Sequence, residues 1–115
     1  MSLAASSKPV VLVTGAARRV GRAIALELAD AGFDVAVHYR QSAEQAHATA
    51  AECRALGVRA ECFAADLSHE TACRALLPHV VQRLGRIDAV VNNASLFEYD
   101  TAATFTPAAM DAHWR

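Results

Sequence analysis

The chain has 115 residues and a formal net charge of −1 at pH 7; 54% of its residues are hydrophobic and 20% are charged. This length allows one domain at most, and the composition is ordinary for a globular protein, which excludes a disordered chain. The near-neutral charge argues against a nucleic-acid partner, because domains that bind nucleic acids are strongly basic. No apolar run approaches the ~18 residues of a membrane span, so we expect no membrane partner either.

Cysteine, histidine and the N-terminal segment add three expectations. Cys53, Cys62 and Cys73 are odd in number and form no C-x-x-C pair, which disfavours a disulfide framework and fits a reducing cytoplasm. The five histidines show no paired ligand spacing, so no metal site is predicted. Residues 1–8 lack the apolar core of a secretory signal. We expect them to be a flexible leader before a domain over residues 9–115.

Strands and helices are predicted to alternate along the chain. Short apolar stretches predict strands over residues 10–13, 34–39, 58–65 and 87–92. Helical spacing and helix-ending glycines predict helices over residues 19–31, 43–56 and 69–84, with a last helix beginning at Thr106 and Pro107. Such alternation implies a parallel sheet with right-handed crossovers. The predicted class is α/β, the N-terminal half of a Rossmann-type doubly wound parallel sheet with helices on both faces.

Local signals predict how two of these helices begin and run. Ser42 with Gln45 has the spacing of a capping box at the start of the second helix. Ser68 is the predicted cap of the third helix. Pro78 falls inside that helix and predicts a kink or two short segments, because proline removes a backbone donor.

A glycine turn follows the first strand, over residues 14–21. Gly15 would permit a tight turn, and the small residues with Gly21 would let a pyrophosphate approach the helix N-terminus, where the partial charge is positive. Two cations, Arg18 and Arg19, are disfavoured at that end of a helix unless an anion neutralises them. The alternative is an ordinary β–α turn with two solvated arginines. We predict a nucleotide phosphate site that includes Gly15, Arg18, Arg19, Val20 and Gly21.

The end of the second strand indicates which nucleotide is bound. An NAD site usually places an acidic residue about 20 residues after the first glycine, to hold the ribose hydroxyls. Here the sequence has His38, Tyr39 and Arg40, with no acid. A guanidinium such as that of Arg40 can bind a 2′-phosphate through two hydrogen bonds. We therefore predict NADPH/NADP as the cofactor, with these three residues at the site.

These segments resemble the short-chain dehydrogenase/reductase family. The matching residues are the glycine turn, Ala65-Asp66-Leu67 after the third strand and Asn92-Asn93-Ala94 after the fourth, and the resemblance extends from Pro9 to the end of the chain. It implies that Asp66, with Leu67, lies at the adenine. It also implies that the asparagine segment, including Asn93 and Ala94, lies beside the ribose and nicotinamide and braces the sheet.

Two departures from the family pattern narrow the subfamily, and three segments, residues 14–21, 38–44 and 93–97, together resemble the pteridine reductases and the bacterial dihydropterin reductases. Arg19 replaces the middle glycine of the turn, and Ser95 replaces the glycine of N-N-A-G. That resemblance implies that Arg19 touches both cofactor phosphate and substrate, that Ser95 hydrogen-bonds the pterin and cofactor, and that Phe97 stacks on the pterin ring, which is favourable for flat aromatic groups. The alternative for Phe97 is a loop residue packed on its own protein.

The proton-donor motif of the family, Y-x-x-x-K, does not occur in this sequence. Its tyrosines are Tyr39 and Tyr99, and its one lysine is Lys8. No catalytic residue is therefore assigned here, and the catalytic tyrosine and lysine are expected downstream. Either the chain is a fragment of a longer enzyme, which we favour, or it is a catalytically inactive binding module. Val90 and Val91 are expected to be buried on opposite faces of the fourth strand, which would be an apolar edge if nothing followed it.

The leading functional hypothesis is an NADPH-dependent reductase of a pteridine or dihydrofolate-like C=N bond. The first alternative is a carbonyl reductase of the same family, acting on a ketoacyl or sugar substrate. The second is a non-catalytic NADP(H)-binding module. The resemblance also implies a homo-oligomer, tetramer or dimer, in the cytoplasm, with a small-molecule substrate.

Overall fold

A computed structural model of the chain describes residues 8–93. Within this range, four strands alternate with three helices: β1 (Val10–Val13), α1 (Arg19–Asp30), β2 (Asp34–Tyr39), α2 (Ala43–Ala55), β3 (Ala60–Ala64), α3 (Glu70–Leu84) and β4 (Ala89–Val91). Several predictions lie outside the described residues: residues 1–7 of the leader predicted over residues 1–8, the roles of Ala94, Ser95 and Phe97, and the helix beginning at Thr106.

All four strands are parallel, and their order across the sheet is β3-β2-β1-β4. The chain moves outward from β1 through β2 to β3, then crosses back to place β4 on the other side of β1. The strand order therefore reverses beside β1, and ligands of such sheets bind at the carboxyl ends of the strands at this switch point. The predicted doubly wound α/β class is confirmed.

Helices cover both faces of the sheet, which explains why the strands are continuous apolar runs. On one face, α1 and α2 pack through small side chains against β1 and β2; this cluster includes Val11, Val13, Val35, Val37, Ala25, Ala29, Ala46 and Ala50. On the other face, α3 packs through larger side chains; this cluster includes Val10, Leu12, Ala36, Phe63, Leu76, Val80 and Leu84. The alanines bring α1 and α2 close to the sheet, whereas α3 contributes leucine and valine.

The outer strands are shorter than predicted. In the structure β3 covers Ala60–Ala64 and β4 covers Ala89–Val91. The register of β3 with β2 begins at Ala60, so Val58 is buried in the core without pairing in the sheet. Ile87 likewise packs against the α3 side of the core from outside β4. The apolar side chains of Val58 and Ile87 predicted correctly that these residues pack against the core. They did not show whether the backbone there forms hydrogen bonds within the sheet.

The predicted capping box at Ser42 is wrong, although α2 does begin immediately after this residue. The Ser42 side chain makes no capping hydrogen bond. Its backbone carbonyl accepts from the Ala46 N–H at 2.9 Å, the first bond of the helix. The hydroxyl is thus left at the entrance of α2, beside the cleft described below.

The start of α3 also differs from prediction, and of the two alternatives given for Pro78, a kink or two short segments, the second is wrong. The residue that precedes its first turn is His69, not Ser68. Ser68 donates instead to Asp66 Oδ1, from its hydroxyl at 2.6 Å and from its N–H at 3.0 Å, a local turn that competes with helix capping. The helix continues through Pro78 as one element rather than two. This residue is exposed, so water can satisfy the carbonyl that lost its donor.

Val90 and Val91 face opposite sides of the sheet, as predicted: Val90 packs with the α3 cluster and Val91 with the α1–α2 cluster. Both are only partly buried, so the expected full burial is wrong for the described residues. The reason is that β4 pairs with β1 alone within residues 8–93. No helix in this range is long and apolar enough to cross a membrane.

Candidate functional site

A cleft of about 510 Å³ opens at the carboxyl ends of β1 and β2, where the strand order reverses. Its lining includes seven of the predicted site residues: Gly15, Arg18, Arg19, Val20, Tyr39, Arg40 and Asn93. Ala17, Gln41 and Ser42 also line it. Sequence reasoning missed these three, and it interpreted Ser42 only as a helix cap.

The glycine turn depends on two glycines for different reasons. Gly15 has a φ of 63°, the left-handed conformation that glycine adopts without cost. A Cβ atom at Gly21 would lie 1.9 Å from the Gly15 carbonyl oxygen and 2.7 Å from Asn93 Nδ2. The missing side chain at Gly21 therefore lets α1 approach the turn closely. Gly21 itself does not line the cleft of the described residues.

Arg18 and Arg19 stand at the N-terminus of α1, and both are exposed. Within residues 8–93, neither guanidinium has an ion-pair partner, and the first turn of α1 carries no acidic side chain. Arg19 adopts a φ of 58°, a conformation that costs a residue other than glycine about 1–3 kcal/mol. Two uncompensated cations thus add to the positive end of the helix, and one of them is held in a strained backbone conformation.

An exposed apolar side chain lines the cleft beside these charges. Val20 is 63% exposed, although it belongs to the first turn of a helix whose other face is buried. It offers an apolar contact within an otherwise polar cleft. This position is consistent with its predicted place at the cofactor.

Arg40 and Asp66 connect the cleft to the end of β3. The Arg40 Nη2 atom lies 3.6 Å from Asp66 Oδ2, and the side chains are 59% and 32% exposed. Hydrogen bonds from Ser68, with a smaller contribution from Arg40, lower the pKa of Asp66 from its ordinary value. Asp66 therefore stays ionised and can orient Arg40. Asp66 and Leu67 do not line the cleft of the described residues, and Leu67 packs toward the α3 cluster.

His38 lies below the cleft and does not line it. Its side chain is 2% exposed, Nδ1 accepts from the Gly15 N–H at 2.9 Å, and Nε2 is 2.8 Å from the Ala65 carbonyl oxygen. Burial lowers its pKa from 6.5, opposed by the hydrogen bond to Ala65. The structure thus places this predicted cofactor residue in contact with the turn rather than on the wall of the cleft.

The ends of β1 and β4 are tied together by polar side chains. Thr14 Oγ1 donates to Asn92 Oδ1 at 2.9 Å and accepts from the Asn93 N–H at 2.7 Å. Asn93 Nδ2 is 3.4 Å from the Gly15 carbonyl oxygen, at the limit of a hydrogen bond. The predicted bracing by the asparagine segment is therefore visible, and Thr14, to which the sequence analysis gave no role, is at its centre.

Other reactive groups contribute no site in the described part of the chain. No group of three His, Cys, Asp or Glu side chains within residues 8–93 is arranged to hold a metal ion. Cys53, Cys62 and Cys73 are free thiols. Burial raises the pKa of all three, and that of Cys53 reaches about 11, so these thiols are protonated at neutral pH.

Comparison with known proteins decides the family. A model of the short chain dehydrogenase family matches residues 9–115. The chain belongs to this family. Its fold also matches a protein described as a dehydrogenase from Burkholderia cenocepacia, solved with bound NADP, with a TM-score of 0.72 and 42% identity over 74% of this chain and 33% of that one.

Two curated relatives have different substrates in their names. The 3-oxoacyl-[acyl-carrier-protein] reductase FabG of Staphylococcus aureus is 42% identical over 85 residues, covering 74% of this chain and 35% of that protein. The sepiapterin reductase of Chlorobaculum tepidum is 36% identical over 110 residues, covering 90% and 45%. The chain thus spans less than half the length of these relatives, and their names cover both an oxoacyl and a pterin compound.

Proposed function

We propose that the cleft binds NADP(H) and that the protein containing this chain is an NADPH-dependent short-chain reductase. The observation that carries the proposal is a cluster of three arginines at the carboxyl ends of β1 and β2, two of which have no ion-pair partner within residues 8–93. Arg18 and Arg19 lie at the N-terminus of α1, and Arg40 lies beside the N-terminus of α2. Backbone donors at helix N-termini together with arginines are the groups that bind phosphate in proteins.

The two ends of the cleft suit the two phosphate groups of such a cofactor. The pyrophosphate would lie at the glycine turn, beside Arg18 and Arg19. A 2′-phosphate would lie at the entrance of α2, where Arg40 and Ser42 line the cleft. When bound, NADPH supplies the hydride that reduces the substrate.

Three further residues complete the proposed cofactor site. Asp66, held ionised by Ser68, is proposed to accept a hydrogen bond from the adenine amino group. Asn93, tied to Thr14 and the glycine turn, is proposed to position the ribose near the reacting end. Ala94 and Ser95 would continue this wall. These roles follow from the family resemblance and from the position of Asp66 and Asn93 at the same edge of the sheet.

For the substrate, we propose a pteridine or dihydrofolate-like compound reduced at a C=N bond. The support is Arg19 in the place of a family glycine, retained despite its positive φ, together with Ser95 and Phe97 in the sequence. The sepiapterin reductase relative supports a pterin compound as the substrate, while the C=N bond follows from the resemblance alone. A tyrosine and a lysine downstream would supply the proton, and the protein would work as a cytoplasmic homo-oligomer, tetramer or dimer.

A carbonyl reductase is the second candidate, because the 3-oxoacyl reductase relative is 42% identical. The two candidates are separated by assaying the whole protein with NADPH against dihydrobiopterin and against a β-ketoacyl thioester. We expect kcat/KM to be higher for dihydrobiopterin than for the thioester. A higher kcat/KM for the thioester would establish the carbonyl reductase instead. NADPH binding with no oxidation by either substrate would favour the non-catalytic module.

A further inference from the structure

The His38 imidazole joins the glycine turn, at Gly15, to the segment after β3, at Ala65, through two hydrogen bonds to backbone groups. The Gly15 N–H can only donate, so His38 Nδ1 must accept and carries no proton. The Ala65 carbonyl oxygen can only accept, so His38 Nε2 must carry the proton. The hydrogen-bond network therefore assigns one neutral tautomer to this ring.

The backbone of His38 reinforces the same connection. Its carbonyl oxygen accepts from the Ala16 N–H at 2.9 Å, so side chain and main chain hold two successive amides of the glycine turn. On the other side, the Ala65 N–H donates to the carbonyl of Tyr39 at 3.1 Å. The residue after Ala65 is Asp66, the proposed adenine ligand. One buried side chain thus fixes the phosphate end and the adenine end relative to each other.

We propose that His38 is a positioning residue for the nucleotide, which acts through Gly15 only while its imidazole is neutral. The inference rests on the proposed function of the cleft. A proton on Nδ1 would place an N–H against the Gly15 N–H at 2.9 Å, where two donors repel. The Gly15 turn, with its φ of 63°, would lose the acceptor that fixes it, and the arginines beside it would shift. Nucleotide affinity should therefore fall at acid pH.

Other ionisable groups at this end of the sheet do not take over this role. β1 ends in Thr14, which does not titrate, and the ionisable side chains on the elements around the ring are Tyr39, Arg40, Asp66, His69, Glu70 and Cys73. None of them is bonded to the ring, since both of its nitrogens bind backbone groups. Burial lowers the pKa of His38 from its ordinary value, so the neutral form persists further into the acid range than that of an exposed histidine.

Two substitutions separate the two hydrogen bonds. In His38→Asn, the amide oxygen can occupy the place of Nδ1, accept from Gly15 and remain neutral at every pH. In His38→Gln, the longer amide reaches toward the place of Nε2, so the bond to Gly15 is lost. His79→Gln, at an exposed position on α3, is the matched control for replacing a histidine.

The experiment measures the Kd of NADP⁺ for the whole protein by calorimetry between pH 5 and 8, with circular dichroism to confirm the fold. At pH 7.5 we expect His38→Asn to bind within about twofold of the wild type, and His38→Gln to bind about five- to tenfold more weakly, the loss of one hydrogen bond. The 2′-phosphate of the ligand itself takes up a proton near pH 6, which changes the Kd of every variant. The test is therefore the difference between the pH profiles of the variants, measured with the same ligand. The wild type and His79→Gln should lose affinity more steeply toward pH 5 than His38→Asn.

Nitrogen-15 NMR of the wild-type imidazole gives a second measurement, in which His38 should show a protonated Nε2 and an unprotonated Nδ1 at pH 7.5. Superimposable pH profiles for the wild type and His38→Asn would overturn the proposal, as would a proton on Nδ1. If the folded wild type fails to bind NADP⁺ at pH 7.5, the proposed function itself is wrong. This outcome can be told apart from a failure of the His38 proposal alone, because it is seen with the wild type before any variant is compared.

Discussion

Arg40 lies at the end of β2 with more than half of its side chain exposed and a single ion-pair contact to Asp66 at 3.6 Å. Such a long, exposed pair stabilises the fold little, so the guanidinium is available to a ligand. Its place beside the entrance of α2 is where the account puts the 2′-phosphate. The choice between NADPH and NADH is therefore assigned to this residue.

Arg40→Ala should weaken NADPH binding about ten- to hundredfold, because a charge-assisted hydrogen bond contributes about 1.5–3 kcal/mol. NADH lacks the 2′-phosphate, so its affinity should change little. Fluorescence titration with both cofactors measures the two effects, and Arg74→Ala on the exposed face of α3 is the control for removing an arginine. Equal losses for NADPH and NADH would contradict the assignment.

Arg19 is the described residue other than glycine that has a positive φ, and a pair of variants separates its backbone from its charge. Arg19→Ala and Arg19→Gly both remove the guanidinium, and both should reduce NADP⁺ affinity. The glycine variant should be more stable than the alanine variant by about 1 kcal/mol, since only glycine adopts this conformation without cost. Urea denaturation gives the difference. An alanine variant at least as stable as the glycine variant would show that the backbone there is unstrained.

The structure brings three of the predicted site residues, Arg18, Arg19 and Arg40, to one cleft, whereas His38 lies beneath it. The positions of Arg18, Arg19 and Arg40 followed from a strand, a turn and a helix in order. His38 was placed at the cofactor because it stands at the end of a strand. Alternation along β2 puts it on the face of Ala36, opposite Tyr39, so its side chain points beneath the cleft, whereas Tyr39 lines it. The alternation of side chains along β2 can be read from the sequence, and it would have predicted that His38 and Tyr39 face opposite sides of the sheet.

The first turn of α1 packs directly against the glycine turn. This close approach is possible because Gly21 has no side chain. Gly21→Ala should destabilise the protein by about 3 kcal/mol, the upper end of what overpacking costs, because its Cβ would overlap the Gly15 carbonyl. Gly32→Ala is the matched control: its φ is 103° with nothing within 4 Å of the added Cβ, so it should cost about 1–2 kcal/mol of backbone strain. Thermal unfolding of both variants compares them. A smaller loss at Gly21 than at Gly32 would contradict the close packing.

The types of the elements were predictable, while their ends were less so. The spacing of apolar residues, together with the glycines that end helices, located all four strands and all three helices within residues 8–93. The ends depended on tertiary partners: β3 stops pairing where β2 stops, and Ser68 binds Asp66 rather than α3. A capping motif in a sequence shows which bonds are possible, and the surrounding structure selects among them.

At the scale of the whole molecule, the apolar edge at β4 has a consequence for the 115-residue chain expressed alone. Val90 and Val91 are half-buried, and within the described residues β4 pairs on one side only. Unpaired apolar edges promote association between chains. Analytical ultracentrifugation should therefore show self-association or poor solubility. A stable monomer with a cooperative thermal transition would contradict this expectation.

The central claim is that this switch-point cleft is an NADP(H) site. It is tested most directly by titrating the wild-type whole protein with NADPH and with NADH under the same buffer and salt conditions. The account predicts saturable binding of both, with the Kd for NADPH at least about tenfold lower, equivalent to about 1.4 kcal/mol. Equal affinity for the two cofactors, tighter binding of NADH, or no binding of either would contradict it.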